Sequence, residues 1–148
     1  MHFTKLVAFA LVSSAVVITP ALSPALAADG DSVLGTWHTP SKNGVVEIAR
    51  CGGSICGNLL TSDHIRTNPD LKDVNNKDAT KRDRRLKGLQ ILGGFTRDKG
   101  QWSGGTIYNP EDGGTYKATV TPAGVDTLKL KGCIVWPLCK TQTWTRIK

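Results

Sequence analysis

The chain has 148 residues, 39% of them hydrophobic, which suits one domain with one modest core and leaves no room for several. Its formal charge of +7 makes it basic overall. A basic exported protein can meet anionic lipid, lipopolysaccharide or other polyanions electrostatically, the alternative being a generally solvated basic surface.

The first residues read as a secretory signal. Lys5 is the lone charge before the apolar stretch "LVAFALVSSAVVI", and "ALSPALA" offers Ala25 and Ala27 as small residues for cleavage. Pro20, Ser23 and Pro24 break the run and no basic stop follows, which argues against a membrane anchor. Without a cysteine the segment holds no lipobox. The reading is a signal peptide over 1–27, cleavage after Ala27, and a mature domain over 28–148 carrying +6 once Lys5 is removed. No later stretch is apolar enough to cross a bilayer, so no transmembrane segment is expected after cleavage. The compartment is periplasmic or extracellular.

The mature chain shows strands, not helices. No window longer than about ten residues has a convincing helical apolar period. In order come "VLGTWHT", "VVEIARC", "ICGNLLTS", "GLQILGGFT", "QWSGGTIY", "TYKATVT", "VDTLKLKGC" and "CKTQTWTRI". They are separated by turn chemistry such as "PSKNG", "GGS", "NPEDGG" and "PAG". Tyr116, Ala118 and Val120 share one face of their strand, and Leu128 and Leu130 share one of theirs, with lysines opposite. This is the half-buried antiparallel pattern. Eight such strands joined by tight turns predict an all-β, single-domain, up-and-down antiparallel barrel, with a two-sheet β-sandwich as the alternative. The pairs Gly93–Gly94 and Gly104–Gly105 sit inside strands, where they permit coiling or a bulge. A close backbone approach to a ligand is the less favoured reading of these glycines.

In such a barrel the first strand lies beside the last. Trp37 would then close one end of the core, with Arg146 stacked on its indole and donating to nearby carbonyls. Gly35-Thr36-Trp37 on the first strand with Arg146 on the last resembles the calycin pattern shared by lipocalins, fatty-acid-binding proteins and avidins. A broader resemblance runs through "LGTWHTPSKNGVVEIARCGGSICG", "GLQILGGF", "WSGGTIYNPEDGGTY" and "TQTWTR". These blocks, in order over nearly all of 33–148, resemble a family of small exported bacterial proteins described only as a domain of unknown function. The resemblance implies a periplasmic or secreted calycin-like barrel and no established activity. The chain departs from that pattern mainly after Ser62, where it is unusually charged.

The four cysteines, Cys51, Cys56, Cys133 and Cys139, all fall in the mature part. Export favours disulfides. If Gly53-Ser54 form a two-residue turn, Cys51 faces Cys56, with Cα atoms about 4.5 Å apart and within bridging range. "GCIVWPLCK" makes the same offer for Cys133 and Cys139. The expected bridges are therefore 51–56 and 133–139. A four-cysteine zinc site is the rival, at spacings near the edge of zinc-ribbon usage. A Cys-x-x-Cys redox motif is absent.

Catalytic constellations are scarce. His38 is read as outward-facing on the first strand, and His64 sits in a polar loop with no second histidine at ligand spacing. Glu111 and Asp112 are adjacent carboxylates in "NPEDGG", which is first a turn. No nucleophile elbow, phosphate loop or calcium loop is present. No metal or cofactor is expected, and an enzyme is the weakest of three functional readings.

The long connection at about 62–88, "SDHIRTNPDLKDVNNKDATKRDRRLKG", reads as too polar for core. Lys81, Arg82, Arg84, Arg85 and Lys87 place five cations within seven residues. The segment is either a solvated loop with one short helical turn, or a lid at the barrel mouth or contact for an anionic surface. Nucleic acid is an unsuitable partner, because no aromatic residues interleave with the cations. The leading function is an exported cell-envelope barrel that binds a small ligand, with Tyr108, Tyr116, Gln142, Trp144 and Arg146 as lining candidates from strand parity. The alternative is an envelope interaction protein that contacts an anionic component through the basic loop and has no cavity.

Overall fold

In a computed structural model, which describes residues 30–147, each of the eight strand-like runs of the mature chain contributes to a strand. The expected signal peptide over 1–27 and the expected cleavage after Ala27 fall outside the described residues. The strands are β1 (Gly35–His38), β2 (Val45–Cys51), β3 (Ser54–Thr61), β4 (Gln90–Gly93), β5 (Thr96–Asp98), β6 (Gln101–Asn109), β7 (Gly114–Pro122), β8 (Thr127–Val135) and β9 (Leu138–Arg146). All pairings are antiparallel, in the order β4-β3-β2-β1-β9-β8-β7-β6-β5. β4 also pairs with β6, which closes the sheet on itself.

β4 and β5 are two halves of one strand. Leu92 pairs with Ile107 and Gly93 with Thr106, while Thr96 pairs with Ser103 and Arg97 with Trp102. The register is unbroken across Gly94 and Phe95, so "GLQILGGFT" is one interrupted strand and the barrel has eight. It is an eight-stranded antiparallel barrel, closed edge to edge, and the two-sheet sandwich is set aside. Closure removes the exposed edges that an open sheet would present.

Cross-strand pairs show which side chains share the interior. Trp37 pairs with Val46, Ile48 with Gly57, Trp102 with Val120, and Leu128 with Trp144. Trp37, Trp102, Trp144, Ile48, Ile55, Leu92, Leu128, Val46 and Val120 are fully buried. A bulge between Trp102 and Gly105 coils β6, and the ring of Phe95 lies where a Cβ on Gly105 would stand, 2.4 Å away. The strand glycines thus serve coiling and packing, as barrel closure demands.

Both bridges join neighbouring strands: Cys51 to Cys56, with Cα atoms 5.8 Å apart, and Cys133 to Cys139, at 4.0 Å. The first hairpin differs from expectation by one residue. Cys51 pairs with Ser54 and Ala49 with Cys56, so the turn is Gly52-Gly53 and not Gly53-Ser54. Gly52 takes the positive φ of 64°. The cysteines are therefore diagonal neighbours, which is still within bridging distance.

The connection at 62–88 is not a featureless polar loop. It begins with a short helix α1 (Asp63–Thr67), capped by the Ser62 hydroxyl accepting from the Ile65 N–H, and later forms a 3-10 turn at Ala79–Lys81. Ile65 and Leu86 are buried in the core cluster, and Asp73 and Asn76 are buried as well. The expectation that this segment is too polar for core is corrected on that ground: its polar residues are buried because they bond to one another and to the barrel.

Candidate functional site

The two ends of the barrel differ. At one end lie the hairpin turns at 51–54, 98–101 and 122–127 and the 3-10 turn Gly30–Val33. Trp37 sits there, fully buried, its Nε1 donating to the Val33 carbonyl at 2.8 Å. Arg146 pairs with Trp37 across β1 and β9, its guanidinium carbon 4.2 Å from the ring centroid. Its Nη1 donates to the Leu34 carbonyl at 2.7 Å, its Nε to the Val125 carbonyl at 3.1 Å, and its Nη2 to the Ser32 carbonyl. Three carbonyls and an indole face fill this end and close it.

At the other end lie the connections 39–44, 62–88 and 109–113 and the β8–β9 hairpin tip. Here the barrel holds a cavity of about 910 Å³. Its inner wall is apolar, including Val46, Leu59, Ile91, Ile107, Leu130 and Trp144. Its rim carries Lys42, Lys72, Lys140 and His64 together with Glu111 and Asp112. Along β8 and β9 the inward pairs run from the floor to the mouth as Leu128–Trp144, Leu130–Gln142 and Gly132–Lys140, and after a register shift Val135 pairs with Leu138 at the tip. The carboxamide Oε1 of Gln142 accepts from Trp144 Nε1 at 2.9 Å, one polar contact in a mostly greasy wall.

Of the five lining candidates, Tyr108, Tyr116, Gln142 and Trp144 border this cavity. Arg146 does not, and its assignment as a lining residue is corrected: the last inward position of β9 falls in the closed end, beneath Trp144. Tyr108 is a border residue of a different kind. It pairs with Thr115, on the face opposite the Ile107–Tyr116 pair, and it also borders a second cleft of about 670 Å³ beside Asn76 and Arg84. Its hydroxyl donates to Asp73 at 2.5 Å, and Asn76 Nδ2 lies 3.0 Å from the same oxygen. Asn76 also donates to Asp73 at 2.8 Å, and Arg84 Nε donates to Asp73 at 2.9 Å while its guanidinium lies 5.1 Å from the Tyr108 ring. Burial, with the Asp73 carboxylate beside it, pushes the Tyr108 hydroxyl up to about 12. This network pins the long connection to the barrel wall.

At the rim, partial burial pushes Asp112 up. Hydrogen bonds from the Tyr116 hydroxyl (2.7 Å), the Gly114 N–H (2.7 Å) and Asn109 Nδ2 (2.9 Å) outweigh it and hold the carboxyl below its usual range. The same bond to Asp112 raises Tyr116. "NPEDGG" is a turn here, and its two acids are rim groups. Among the described residues, no group of three or more His, Cys, Asp or Glu side chains is placed to hold a metal ion.

The basic run of the connection is largely committed. Lys81 pairs with Asp78 at 3.3 Å, Arg84 with Asp73 at 2.9 Å and Arg85 with Asp70 at 3.0 Å, while Arg82 Nε donates to the Asn76 carbonyl at 2.8 Å. The residues that sequence reasoning missed are Asp73 and Asn76. Their only signal was indirect: the apolar Ile65, Leu71 and Leu86 spaced through an otherwise polar stretch.

A closed eight-stranded cup, plugged at one end by a tryptophan–arginine stack and hollow at the other, defines a lipocalin-like barrel. The solved structure described as "Protein HP1028 from the human pathogen Helicobacter pylori belongs to the lipocalin family" is similar to this chain, with 25% identity and a TM-score of 0.69, over 78% of this chain and 82% of that one. The chain itself belongs to the family described as "Uncharacterized protein conserved in bacteria (DUF2147)", whose profile matches residues 35–146. No curated protein matches it.

Proposed function

We propose that this protein is an exported binding barrel of the cell envelope that holds one small, mainly apolar ligand in its cavity. The observation that carries the reading is the 910 Å³ cavity with an apolar wall and a lysine-bearing rim. That volume lies in the range of small-molecule sites, and a few placed polar groups would orient the ligand. Gln142 supplies an amide donor midway up the wall, and Lys42 and Lys140 supply cations at the rim. An amphiphile with an apolar body and an acidic head matches this arrangement.

Export is supported by two disulfides in a small domain, since such bridges persist in oxidising compartments. Among the described residues, no helix is long and apolar enough to cross a membrane. The basic-loop alternative has less support, because four of its five cations are engaged with groups of the connection itself. Native mass spectrometry of protein purified from its own periplasm tests the proposal. A copurified small molecule released on denaturation is expected. Protein that carries none, and that fails to take up amphiphiles on titration, would refute it.

A further inference from the structure

The apolar side chains left in water are not scattered. Of the seven large hydrophobic residues exposed among the described residues, five rim the mouth: Val74, Ile134, Val135, Trp136 and Leu138. Four of these form the tip of the β8–β9 hairpin, with Trp136 at 75% and Ile134 at 74% exposure. A single exposed leucine needs no explanation, but a contiguous tip of four, one a tryptophan, marks an interaction site. The tip is held out by its own architecture. The ladder runs up to Val135–Leu138, and the Cys133–Cys139 bridge closes the hairpin directly beneath it. It cannot fold back to bury itself.

Along the hairpin itself the charge is of one sign, while Glu111 and Asp112 stand elsewhere on the rim. From residue 127 to 145 the hairpin strands contain Lys129, Lys131 and Lys140 and no carboxylate. Lys131 Nζ lies 4.8 Å from the Trp136 ring centroid, and Lys140 stands at the rim beside Gly132. A tryptophan and aliphatic tip skirted by lysines has the amphipathic order of the boundary of an anionic bilayer: apolar groups among the acyl chains, the indole at headgroup level, cations on the phosphates. A second copy of the chain is a poorer occupant. Four side chains on a convex tip fall short of the roughly 800 Å² per partner that a stable dimer buries.

We propose that the β8–β9 hairpin tip docks this protein, mouth first, onto an anionic phospholipid bilayer. Ile134, Leu138 and Lys140 border the cavity as well as the tip, so docking would set the cavity entrance against the lipid surface. The docking step itself does not depend on what the cavity holds.

Trp136 makes the test direct, because Trp37, Trp102 and Trp144 are all buried. Exported protein purified from the periplasm is mixed with vesicles of phosphatidylethanolamine and phosphatidylglycerol, some carrying brominated acyl chains. Co-sedimentation and quenching of the exposed tryptophan are expected, with much weaker binding to phosphatidylcholine vesicles. Trp136→Ser should lower the partition coefficient about tenfold. Lys131→Gln with Lys140→Gln should lower it several-fold, on anionic vesicles only. Ile134→Ser with Leu138→Ser reads the tip while keeping the fluorescent reporter. Both disulfides and the buried-tryptophan emission serve as controls for folding. Binding that is absent, or unchanged in the tip variants, overturns the proposal. So does a dimer that those variants dissolve, and so does quenching without sedimentation, which would mean a lipid molecule inside the cavity instead of docking.

Discussion

Gly35, Trp37 and Arg146 explain one another. Gly35 has φ of 122°, a conformation closed to other residues, and a Cβ there would stand 2.6 Å from Arg146 Nη1. The glycine is needed so that the guanidinium can reach the Leu34 carbonyl and lie over the indole. Trp37→Ala should cost about 3–5 kcal/mol, mainly through the cavity it opens in a small core. Arg146→Ala should cost about 1–3 kcal/mol through lost stacking and three carbonyls deprived of a donor. The double variant should lose less than the sum, since each change alone removes the contact. Urea melts of the four proteins measure this, and strict additivity would show that the stack contributes nothing. The sequence carried this pair plainly, because barrel closure puts the first strand beside the last. It misled on Arg146 as a lining residue because alternation tells inside from outside, not floor from mouth.

Among the elements, the long connection was the least legible. Its burial rests on Tyr108, which is 35 residues from Asp73 and 32 from Asn76, and no local pattern announces such a partnership. The Gly52-Gly53 turn slipped by one residue for a simpler reason: two glycines can each take the positive φ, so composition does not choose the register. The strands were legible because alternation over eight or nine residues is hard to mistake. Asp73→Ala should leave Tyr108, Asn76 and Arg84 without their shared acceptor and cost about 2–3 kcal/mol. It should also expose Lys77 to Lys87 to limited trypsin digestion while the barrel stays intact. A digestion pattern unchanged from wild type would mean that the connection is held elsewhere. The tyrosines give a second reading. The sequence holds only Tyr108 and Tyr116, and both hydroxyls are raised, Tyr108 to about 12. Absorbance titration should therefore show tyrosinate appearing above the ordinary value of about 10. A raised phenol favours the neutral form in the folded state, so this contribution to stability is whole below pH about 10. It declines as pH rises from there towards about 12. Tyr108→Phe should remove the later-titrating component.

At the scale of the molecule, the barrel divides its labour between its ends. The closed end spends Trp37, Trp102 and Arg146 on filling space, whereas the open end leaves space between Leu130, Gln142 and the rim. A core packed to native density throughout would be more stable, since empty volume forfeits contacts. Gly132 is the position at which this can be tested. It sits on the inward row of β8 between Leu130 and Ile134, opposite Lys140, and borders the cavity. A Cβ there would meet Ile107 Cγ2 at 3.5 Å, an ordinary contact, so a side chain can enter without disturbing the backbone. Gly132→Phe should place a ring across the upper cavity. Binding of anilinonaphthalene sulfonate, whose apolar rings and anionic group match the wall and the lysine rim, should weaken at least about tenfold, as loss of an apolar contact area of ring size implies. Thermal stability should hold or rise, because the ring fills space that water or a ligand otherwise occupies. Fluorescence titration and a thermal melt on the same samples separate the two effects. Dye binding that survives in a fully folded Gly132→Phe protein would place the binding site elsewhere, and the cavity would then be a packing defect of the open end.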